Sequence, residues 1–259
     1  MSSVLIVIPA HNEELVIERN IRTLYDFCSK NLSIHDWNIL VASNGSADAT
    51  AAIGARLSQE LPRVAIVDFS EGGRGRTLRR VWGDPVPQTG CRLRHVRDPA
   101  LRWEADILVY MDADLSTDLE ALPKLLEAVA SGADVAIGSR FAKGAKVDRS
   151  LAREVASRGY RALVRIVLGL RASDAQCGFK AIGGSVFREL APRLRDNNWF
   201  FDTELLLHAE RRGYMVAEIP VSWVEDRVKG RKSTVRLLRT IIDYIKTVVA
   251  FGFREGWRG

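Results

Sequence analysis

The sequence predicts an α/β protein with a mostly parallel sheet, flanking helices and a C-terminal amphipathic helix. Two observations favour this fold class. Strand-like apolar runs alternate with helix-like periodicity through the first 140 residues, which is the pattern of a parallel sheet covered on both faces. Polar clusters directly follow three of these strands, and such sheets bind their ligands at the carboxyl ends of the strands. The clusters are therefore expected to converge on one edge of the sheet.

Apolar runs define the elements of this first part. They predict strands at residues 4–8, 37–42, 64–67, 107–111 and 134–138. Helical spacing of apolar residues predicts helices at 13–30, 48–60 and 119–130, and a Gly- and Arg-rich turn at 72–81 leads into another helix. Residues 82–105 contain three prolines and show no clear period, so we expect an irregular excursion there.

The chain becomes more basic and less regular after residue 140. We expect basic helices, a loop at 174–179, a helix near 202–212 and a pair of strands within 215–224. A basic loop at 227–233 precedes a last helix, from about 234 to 253, with an apolar stripe formed by Val235, Leu238, Ile242, Ile245 and Val249. We divide the chain into one large domain, residues 1–233, and a C-terminal amphipathic helix, 234–259. That helix either packs on the core or a partner, or lies on a membrane surface.

The formal net charge of +6 is concentrated in one segment. Residues 140–171 hold nine Lys or Arg and two acids, while the rest of the chain is close to neutral. Such a segment is either a solvated helix face or a surface for an anionic partner such as phosphate, acidic lipid or nucleic acid. Apart from Tyr160, its helical part has no aromatic residue that could stack on bases, which argues against nucleic acid.

The cysteines and the apolar segments indicate in which cellular compartment the protein is expected. The three cysteines, Cys28, Cys91 and Cys177, are widely spaced and form neither a disulfide framework nor a zinc pattern, which favours a reducing cytosol. The N-terminus enters a predicted strand at once, so we expect no signal peptide. The apolar stretches are short and interrupted by charges, so we expect no transmembrane span.

Asp112-Ala-Asp114 follows the predicted buried strand at 107–111. Two carboxylates one residue apart can both reach a single hard cation where the chain leaves the sheet, and oxygen ligands suit Mg²⁺ or Mn²⁺. A pair of solvated acids at a strand end is the alternative, because this motif alone is a weak signal. Its position after a buried strand favours the metal site.

Gly72-Gly-Arg-Gly-Arg76 precedes a predicted helix. Glycines let the backbone approach a phosphate, a helix N-terminus favours an anion, and the arginines could add bidentate contacts. The segment lacks the Lys-Ser/Thr pair of a P-loop, and it does not follow the first strand as a dinucleotide fingerprint does. A phosphate-binding turn and a flexible basic loop both remain open on these residues alone.

Eight short motifs occur in order along residues 4 to 235. They are Pro9-Ala-His-Asn-Glu-Glu14, Ala42-Ser-Asn-Gly-Ser-Ala-Asp48, Gly73-Arg-Gly-Arg76, Asp112-Ala-Asp-Leu115, Gly138-Ser-Arg140, Gln176-Cys-Gly-Phe-Lys180, Trp199-Phe-Phe-Asp-Thr-Glu204 and Glu218-Ile-Pro-Val-Ser-Trp223. Each motif is weak, but the ordered set resembles family 2 glycosyltransferases with the GT-A fold. Within that family it is most similar to the dolichyl-phosphate glucose and mannose synthases and their prokaryotic polyprenyl-phosphate relatives.

The resemblance implies a nucleotide-sugar site at the strand ends. The residues that would bind the donor are Pro9, Ala10, Asn12, Glu13, Asn44, Gly45, Arg76, Asp112, Ala113, Asp114, Arg227 and Lys232. The first four would hold the base and ribose, and the two aspartates would bind Mg²⁺ or Mn²⁺ together with the diphosphate. The basic loop that contains the last two residues would close over the donor.

The resemblance also implies an acceptor site in the basic segment. Arg140, with Arg153 and Ser157 on the next helix, would hold an acceptor phosphate. Asp202 and Glu204 would lie near the acceptor, either as a base or orienting group or in a structural role. The implied catalytic residues are Asp112, Asp114, Arg140, Asp202 and Glu204.

The expected activity is inverting transfer of a hexose from a UDP- or GDP-linked donor to a polyprenyl or dolichyl phosphate. The protein is expected to work as a peripheral protein at the cytoplasmic face of a membrane and not to bind nucleic acid. Two alternatives stay open. One is a family 2 transferase that acts on a sugar hydroxyl, and the other is a nucleotide-binding module without catalysis.

Overall fold

The computed structural model describes residues 1–83, 91–94, 105–224 and 237–255. The strands of this part of the chain are β1 (Ser3–Ala10), β2 (Asp36–Asn44), β3 (Val64–Phe69), β4 (Cys91–Arg94), β5 (Ile107–Met111), β6 (Val135–Ser139), β7 (Lys146–Asp148), β8 (Phe179–Gly183), β9 (Val216–Pro220) and β10 (Ser222–Val224). Eight of them form the main sheet in the order β4-β3-β2-β1-β5-β8-β6-β9, and β7 and β10 form a separate parallel pair.

Most neighbours in the main sheet run parallel. Strands β1, β2, β3, β5, β6 and β9 point one way, whereas β4 and β8 run against their neighbours. Every residue of β5 is buried, and so are most of those in β1 and β2, because helices cover both faces of the sheet. This confirms the predicted mostly parallel α/β class.

Helices form a layer on each face of the sheet. They are α1 (Ile17–Asn31), α2 (Thr50–Glu60), α3 (Arg74–Gly83), α4 (Ala121–Ala130), α5 (Leu151–Leu168), α6 (Gly184–Leu190), α7 (Phe201–Arg211) and α8 (Leu237–Glu255). Successive residues of β1 point to opposite faces, so Ile6 joins the core beneath α1, α2 and α4 while Leu5 and Val7 join the core beneath α3, α5, α6, α7 and α8.

Strand β8 was not predicted. It lies between β5 and β6 and runs antiparallel to both. The sequence obscured it because Lys180 interrupts a run of only five residues, and lysine is rarely found inside a buried strand. The structure places Lys180 at 1% exposure, so the run is a core strand after all.

The strands predicted within 215–224 exist but do not pair with each other. Strand β9 joins the main sheet beside β6, and β10 pairs with the three-residue strand β7, which was not predicted. In the predicted irregular excursion, the structure places Trp82 in α3 and residues 91–94 in the edge strand β4. Residues 84–90 and 95–104 lie outside the described part of the chain.

Helix α8 packs on the protein through a face other than its predicted apolar stripe. Val248 and Phe251 are buried in the core. The described members of the predicted stripe, Ile245 and Val249, are 46% and 40% exposed, and Phe253 is 77% exposed. The helix therefore has one apolar face against the core and a second that faces solvent. The start predicted near residue 234 lies outside the described residues. None of the described helices combines the length and the apolar character that crossing a membrane requires.

Candidate active site

The site is built around Asp112 and Asp114 at the carboxyl end of β5. The backbone N–H of Asp112 donates to the carbonyl of Gly178 at 3.0 Å, which fixes the end of the strand against the start of β8. The chain then turns at Leu115, whose φ of +51° lies in the left-handed region. An oxygen of the Asp114 carboxylate accepts the N–H of Ser116 at 3.1 Å. Both carboxylates thus leave the sheet at the edge where the sequence placed them.

Gly178 lies directly under the Asp112 side chain. A Cβ at this position would stand 2.0 Å from Oδ2 of Asp112 and 2.3 Å from its Cγ. Only glycine leaves room for the carboxylate where it stands. The Gly178 requirement was not predicted, although the glycine lies within the Gln176-Cys-Gly-Phe-Lys180 motif.

The ends of β1 and β2 are tied to each other and to the glycine-rich turn through Asn44. Its side-chain N–H donates to the Ala10 carbonyl at 2.9 Å, and its Oδ1 accepts the N–H of Gly73 at 3.3 Å. Gly45 has a φ of +68°, and a Cβ there would stand 2.8 Å from the N of Gly72. Asn44 is 5% exposed, so its buried amide holds the strand ends and the turn together.

The other residues predicted to hold base and ribose lie in the same corner. Pro9 is in β1, directly before Ala10. Asn12 has a left-handed φ of +56°, and its Oδ1 accepts the N–H of Ala47 at 2.9 Å. Glu13 begins the turn into α1, and its N–H donates to the Thr50 hydroxyl at 2.8 Å. The structure therefore brings this group together beside Asn44.

Arg74, rather than the predicted Arg76, points into the site. Its guanidinium donates to Asp112 at 2.9 Å and to Asp202, and the Trp199 ring stacks on it at 4.2 Å. The side chain is 8% exposed. Arg76 instead pairs with Glu71 at 3.0 Å on the surface.

The backbone explains why Arg74 is the inward residue. Cβ atoms on its two neighbours would stand 2.5 Å from the Asn197 carbonyl and 2.6 Å from the Asp196 carbonyl. The glycines at positions 73 and 75 therefore let the turn pack closely against residues 196–198. A charged residue between two glycines was the available signal for Arg74.

Beneath Arg74 lies a buried polar network centred on Asp202. This carboxylate is 0% exposed and accepts from Arg74, from the hydroxyl of Tyr110 and from Lys180, whose Nζ is 3.0 Å away. Lys180 also donates to the carbonyls of Ala175 and Cys177 at 2.9 and 2.6 Å. Burial raises the pKa of Asp202 and lowers the pKa of Lys180, so each charged form depends on its partners.

Glu204 is likewise fully buried, and both of its carboxylate oxygens accept hydrogen bonds. One of its oxygens accepts the backbone N–H groups of Arg195 and Asp196, both at 2.8 Å, and the other pairs with Arg254 of α8 at 2.6 Å. The carboxylate thus joins α7, the loop beneath the glycine-rich turn and the C-terminal helix.

We expect Glu204→Ala to destabilise the protein by about 3 kcal/mol, because it leaves two backbone donors and one arginine without their acceptor. This corresponds to a Tm roughly 6–12 °C lower, measured by thermal unfolding. Asp36→Ala, which breaks the surface pair between Asp36 and Arg63, is the matched control and should shift Tm by about 3 °C or less. An unchanged Tm for Glu204→Ala would contradict this structural role.

Arg140 follows β6 and is held by Asp174. The Arg140 backbone N–H, Nε and Nη2 donate to the Asp174 carboxylate at 2.9, 2.8 and 2.8 Å. Burial alone would raise the pKa of Asp174, but the hydrogen bonds from Arg140 lower it, so the pair stays charged. Asp174 was not among the predicted site residues, and its position before the Gln176-Cys-Gly motif was the available signal.

The predicted partners of Arg140 lie on the first two turns of α5. Arg153 and Ser157 are both half-buried. The hydroxyl of Ser157 accepts a hydrogen bond from Arg149 at 3.0 Å. Arg227 and Lys232, predicted to close over the donor, lie outside the described residues.

The carboxylates at the end of β5 fit a hard divalent cation that shares its ligands with a phosphate. Asp112 and Asp114 offer carboxylate oxygens at the rim of the site. Among the described residues, no cluster of three or more His, Cys, Asp or Glu side chains could enclose a metal by itself. Mg²⁺ and Mn²⁺ commonly bind through one or two carboxylates plus substrate phosphates, so the donor set suits that class of ion.

Comparison with known proteins identifies the family. The profile of "Glycosyl transferase family 2" matches residues 5–82 and 100–191, more than half of the chain. The chain belongs to glycosyltransferase family 2. The matched ranges contain Asn44, Arg74, Asp112, Asp114 and Arg140, so they include both sides of the site.

Curated relatives of this glycosyltransferase include proteins named for lipid-phosphate acceptors. It is 38% identical to glycosyltransferase AglD of Haloferax volcanii over 84% of this chain and 32% of that protein, so it spans about a third of AglD. It is 30% identical to polyprenol monophosphomannose synthase of Mycolicibacterium smegmatis, and the alignment covers 85% of this chain and 77% of that protein. It is 27% identical to dolichyl-phosphate beta-glucosyltransferase of Saccharomyces cerevisiae, covering 90% and 69%.

Solved structures support the fold of the glycosyltransferase. Glucosyl-3-phosphoglycerate synthase from Mycobacterium tuberculosis, solved with Mn²⁺, UDP and glucosyl-3-phosphoglycerate, superposes with a TM-score of 0.58 at 19% identity, covering 96% of this chain and 78% of the other. Mannosyl-3-phosphoglycerate synthase from Rubrobacter xylanophilus superposes with a TM-score of 0.60 at 14% identity, covering 98% and 75%. These likenesses confirm the predicted GT-A fold.

Proposed function

We propose that this chain transfers a hexose from a nucleotide sugar to a polyprenyl or dolichyl phosphate, giving a β-linked lipid phosphosugar. One observation carries the choice of acceptor. Asp202 and Glu204, the carboxylates that could serve as a base, are both 0% exposed and occupied by fixed donors. A sugar hydroxyl needs a base to attack, whereas a phosphate does not, so the site suits a phosphate acceptor. The names of the relatives support the same class.

The donor half of the reaction is assigned to the carboxyl ends of β1, β2 and β5. Asn44 and its neighbours would hold the nucleoside, and Asp112 and Asp114 would hold Mg²⁺ or Mn²⁺. When bound, the cation supplies charge stabilisation for the departing nucleoside diphosphate. Arg74 adds a fixed positive charge beside Asp112, oriented by Asp202 and Trp199 before the donor arrives.

The acceptor half is assigned to Arg140 and the start of α5. A phosphate monoester has a second pKa of about 6 and is largely dianionic at neutral pH, so it needs orientation and partial screening. Arg140, held by Asp174, supplies a fixed cation, and Ser157 supplies a hydroxyl. An acceptor oxygen forms a bond to C1 of the sugar while the bond from C1 to the diphosphate breaks. This single displacement inverts the anomeric centre of an α-linked donor.

The exposed apolar side chains of α5 and α8 support work at a membrane surface. On α5, Leu151, Val155 and Ile166 are 84%, 70% and 62% exposed, and the exposed Arg165 lies beside Ile166. On α8, which packs on α5, Ile245, Val249 and Phe253 face solvent. Apolar residues flanked by arginines are typical of helices that lie in the membrane interface. We place this surface at the cytoplasmic face, since Cys28 and Cys177 are free thiols.

We expect Val155→Glu to weaken binding to vesicles of phosphatidylcholine and phosphatidylglycerol by about tenfold or more. The change removes an apolar side chain worth about 1.5–3 kcal/mol on burial and adds a repelled charge. Ile34→Glu is the matched control, because Ile34 is 72% exposed in the loop between α1 and β2, away from this surface. Vesicle flotation measures both. Equal binding of the two variants would contradict the membrane-facing assignment.

A transfer assay tests the proposed function directly. The protein is incubated with Mg²⁺ or Mn²⁺, a radiolabelled UDP- or GDP-hexose and a polyprenyl phosphate, and label is counted in the organic phase. We expect label that requires both the cation and the lipid phosphate. Intact donor binding without any label in lipid would contradict the proposal and favour a hydroxyl acceptor.

A further inference from the structure

Arg149 is a charged side chain that the structure buries beside the acceptor site. It lies between β7 and α5, and its side chain is 4% exposed. Its Nε donates to the Glu154 carboxylate at 2.6 Å, and its Nη1 donates to the Ser157 hydroxyl at 3.0 Å. A single guanidinium therefore binds residues on the first and second turns of α5 at once.

The direction of the hydrogen bond to Ser157 decides what that hydroxyl can do. A guanidinium is always a donor, so Ser157 must accept from Arg149. A serine hydroxyl has one proton to give, and this contact leaves that proton available for another acceptor. Arg149 thus presents Ser157 as a hydrogen-bond donor, which is the property that an anionic oxygen requires.

The same arginine is connected to Arg140 through an aromatic ring. Phe141 directly follows Arg140, and its ring lies 5.5 Å from the guanidinium of Arg149 and 5.0 Å from that of Arg161. Two cations thus fix the ring next to the end of β6. Arg149 and its contacts therefore link the residue after Arg140 to the first turns of α5.

We propose that Arg149 is a positioning residue for the acceptor phosphate, holding the Ser157 hydroxyl as a donor toward it and fixing the start of α5 relative to Arg140. This rests on the proposed function. Glu154 balances the charge of Arg149, so Arg149 need not touch the phosphate itself. The planar fork of a guanidinium is required, because the ammonium of a lysine is a single point and would not span both Glu154 and Ser157.

The test is a double-mutant cycle with Arg149→Met, Ser157→Ala and the combined variant. A short-chain polyprenyl phosphate in detergent removes any contribution from membrane binding. Each single change is expected to raise the KM for the polyprenyl phosphate by roughly 10- to 100-fold, the effect of a lost hydrogen bond to a charged group. The KM for the nucleotide sugar should change by less than about twofold. The KM of the combined variant for the polyprenyl phosphate should exceed that of the more impaired single variant by no more than about threefold. Both changes remove the same interaction, so their effects should not add.

Arg158→Met is the matched control. Arg158 pairs with the same Glu154, but its side chain is 71% exposed and no bond joins it to Ser157, so the acceptor KM should stay within about twofold of wild type. Arg149→Lys should resemble Arg149→Met; a wild-type KM in Arg149→Lys would overturn the argument from the fork. Two results would overturn the proposal provided that the wild type transfers sugar to the lipid phosphate. One is additive effects of the two changes on the acceptor KM, and the other is a wild-type acceptor KM in Arg149→Met. Absence of transfer to lipid phosphate by wild type would instead reject the proposed function.

Discussion

Replacement of Asp114 with alanine is expected to lower the transfer rate by about a thousandfold or more. The change removes one of two carboxylates at the end of β5, and a divalent ion that stabilises a leaving diphosphate is worth several kcal/mol. Each 1.36 kcal/mol corresponds to a factor of ten in rate. Because the lost interaction is made with the cation, the variant should also bind Mn²⁺ more weakly, which titration of the paramagnetic ion measures without turnover.

Stability separates this effect from general damage. Asp114 is half-exposed and its carboxylate accepts the N–H of Ser116 within the same turn, so we expect its replacement to lower Tm by only a few degrees. Asp36 lies at the end of β2 that is far from the site. Asp36→Ala also removes one negative charge and should keep full activity. Normal transfer by Asp114→Ala would reject the assignment of the metal to this position.

Gly178→Ala is expected to reduce transfer by about a hundredfold, although it adds only one methyl group. The new Cβ would stand 2.0 Å from Oδ2 of Asp112, so the carboxylate must move. The Asp112 carboxylate accepts from Arg74 at 2.9 Å, and the Asp112 backbone N–H donates to Gly178. Moving the carboxylate would therefore break the contact with Arg74. A misplaced metal ligand costs rate because the preorganised geometry is lost.

The matched control is Gly83→Ala at the end of α3. A Cβ there meets its nearest neighbour, the Cβ of Ala191, at 4.0 Å, which is ordinary contact. This variant should keep wild-type kcat and KM. A Gly178→Ala protein with wild-type kcat would show that the Asp112 carboxylate can move without loss, and the close approach would then have no catalytic meaning.

The parallel part of the fold was predictable because its strands are continuous apolar runs. Strand β5 is predicted at the same residues that the structure gives, and Asp112 and Asp114 follow it at the expected edge. Strand β8 was missed, since the buried Lys180 that interrupts it depends on the distant partners Asp202 and Tyr110 as well as on the nearby carbonyls of Ala175 and Cys177. A residue whose environment comes from other elements cannot be read from its own neighbours in sequence.

The same limit applies to the charged residues of the site. The sequence indicated the glycine-rich turn, but the choice between Arg74 and Arg76 depends on Asp202 and Trp199, more than 120 residues later. Arg149 was one of nine basic residues in its segment, and its burial and its contact with Ser157 are visible only in the structure. The boundary at residue 233 and the roles of Arg227 and Lys232 stay predictions, because they lie outside the described residues.

Strand β8 divides the site into two halves joined by backbone hydrogen bonds. The strands on one side carry the proposed donor residues, and β6 and α5 on the other side carry the proposed acceptor residues. The ladders of β8 are made by backbone N–H and C=O groups, so the exposed positions within residues 140–170 can change while the donor half stays in place. The same fold occurs in a protein named glucosyl-3-phosphoglycerate synthase, and a relative of this chain is named polyprenol monophosphomannose synthase, so proteins named for different acceptors share this architecture. We expect exchange of this segment between relatives to change which acceptor the transferase uses.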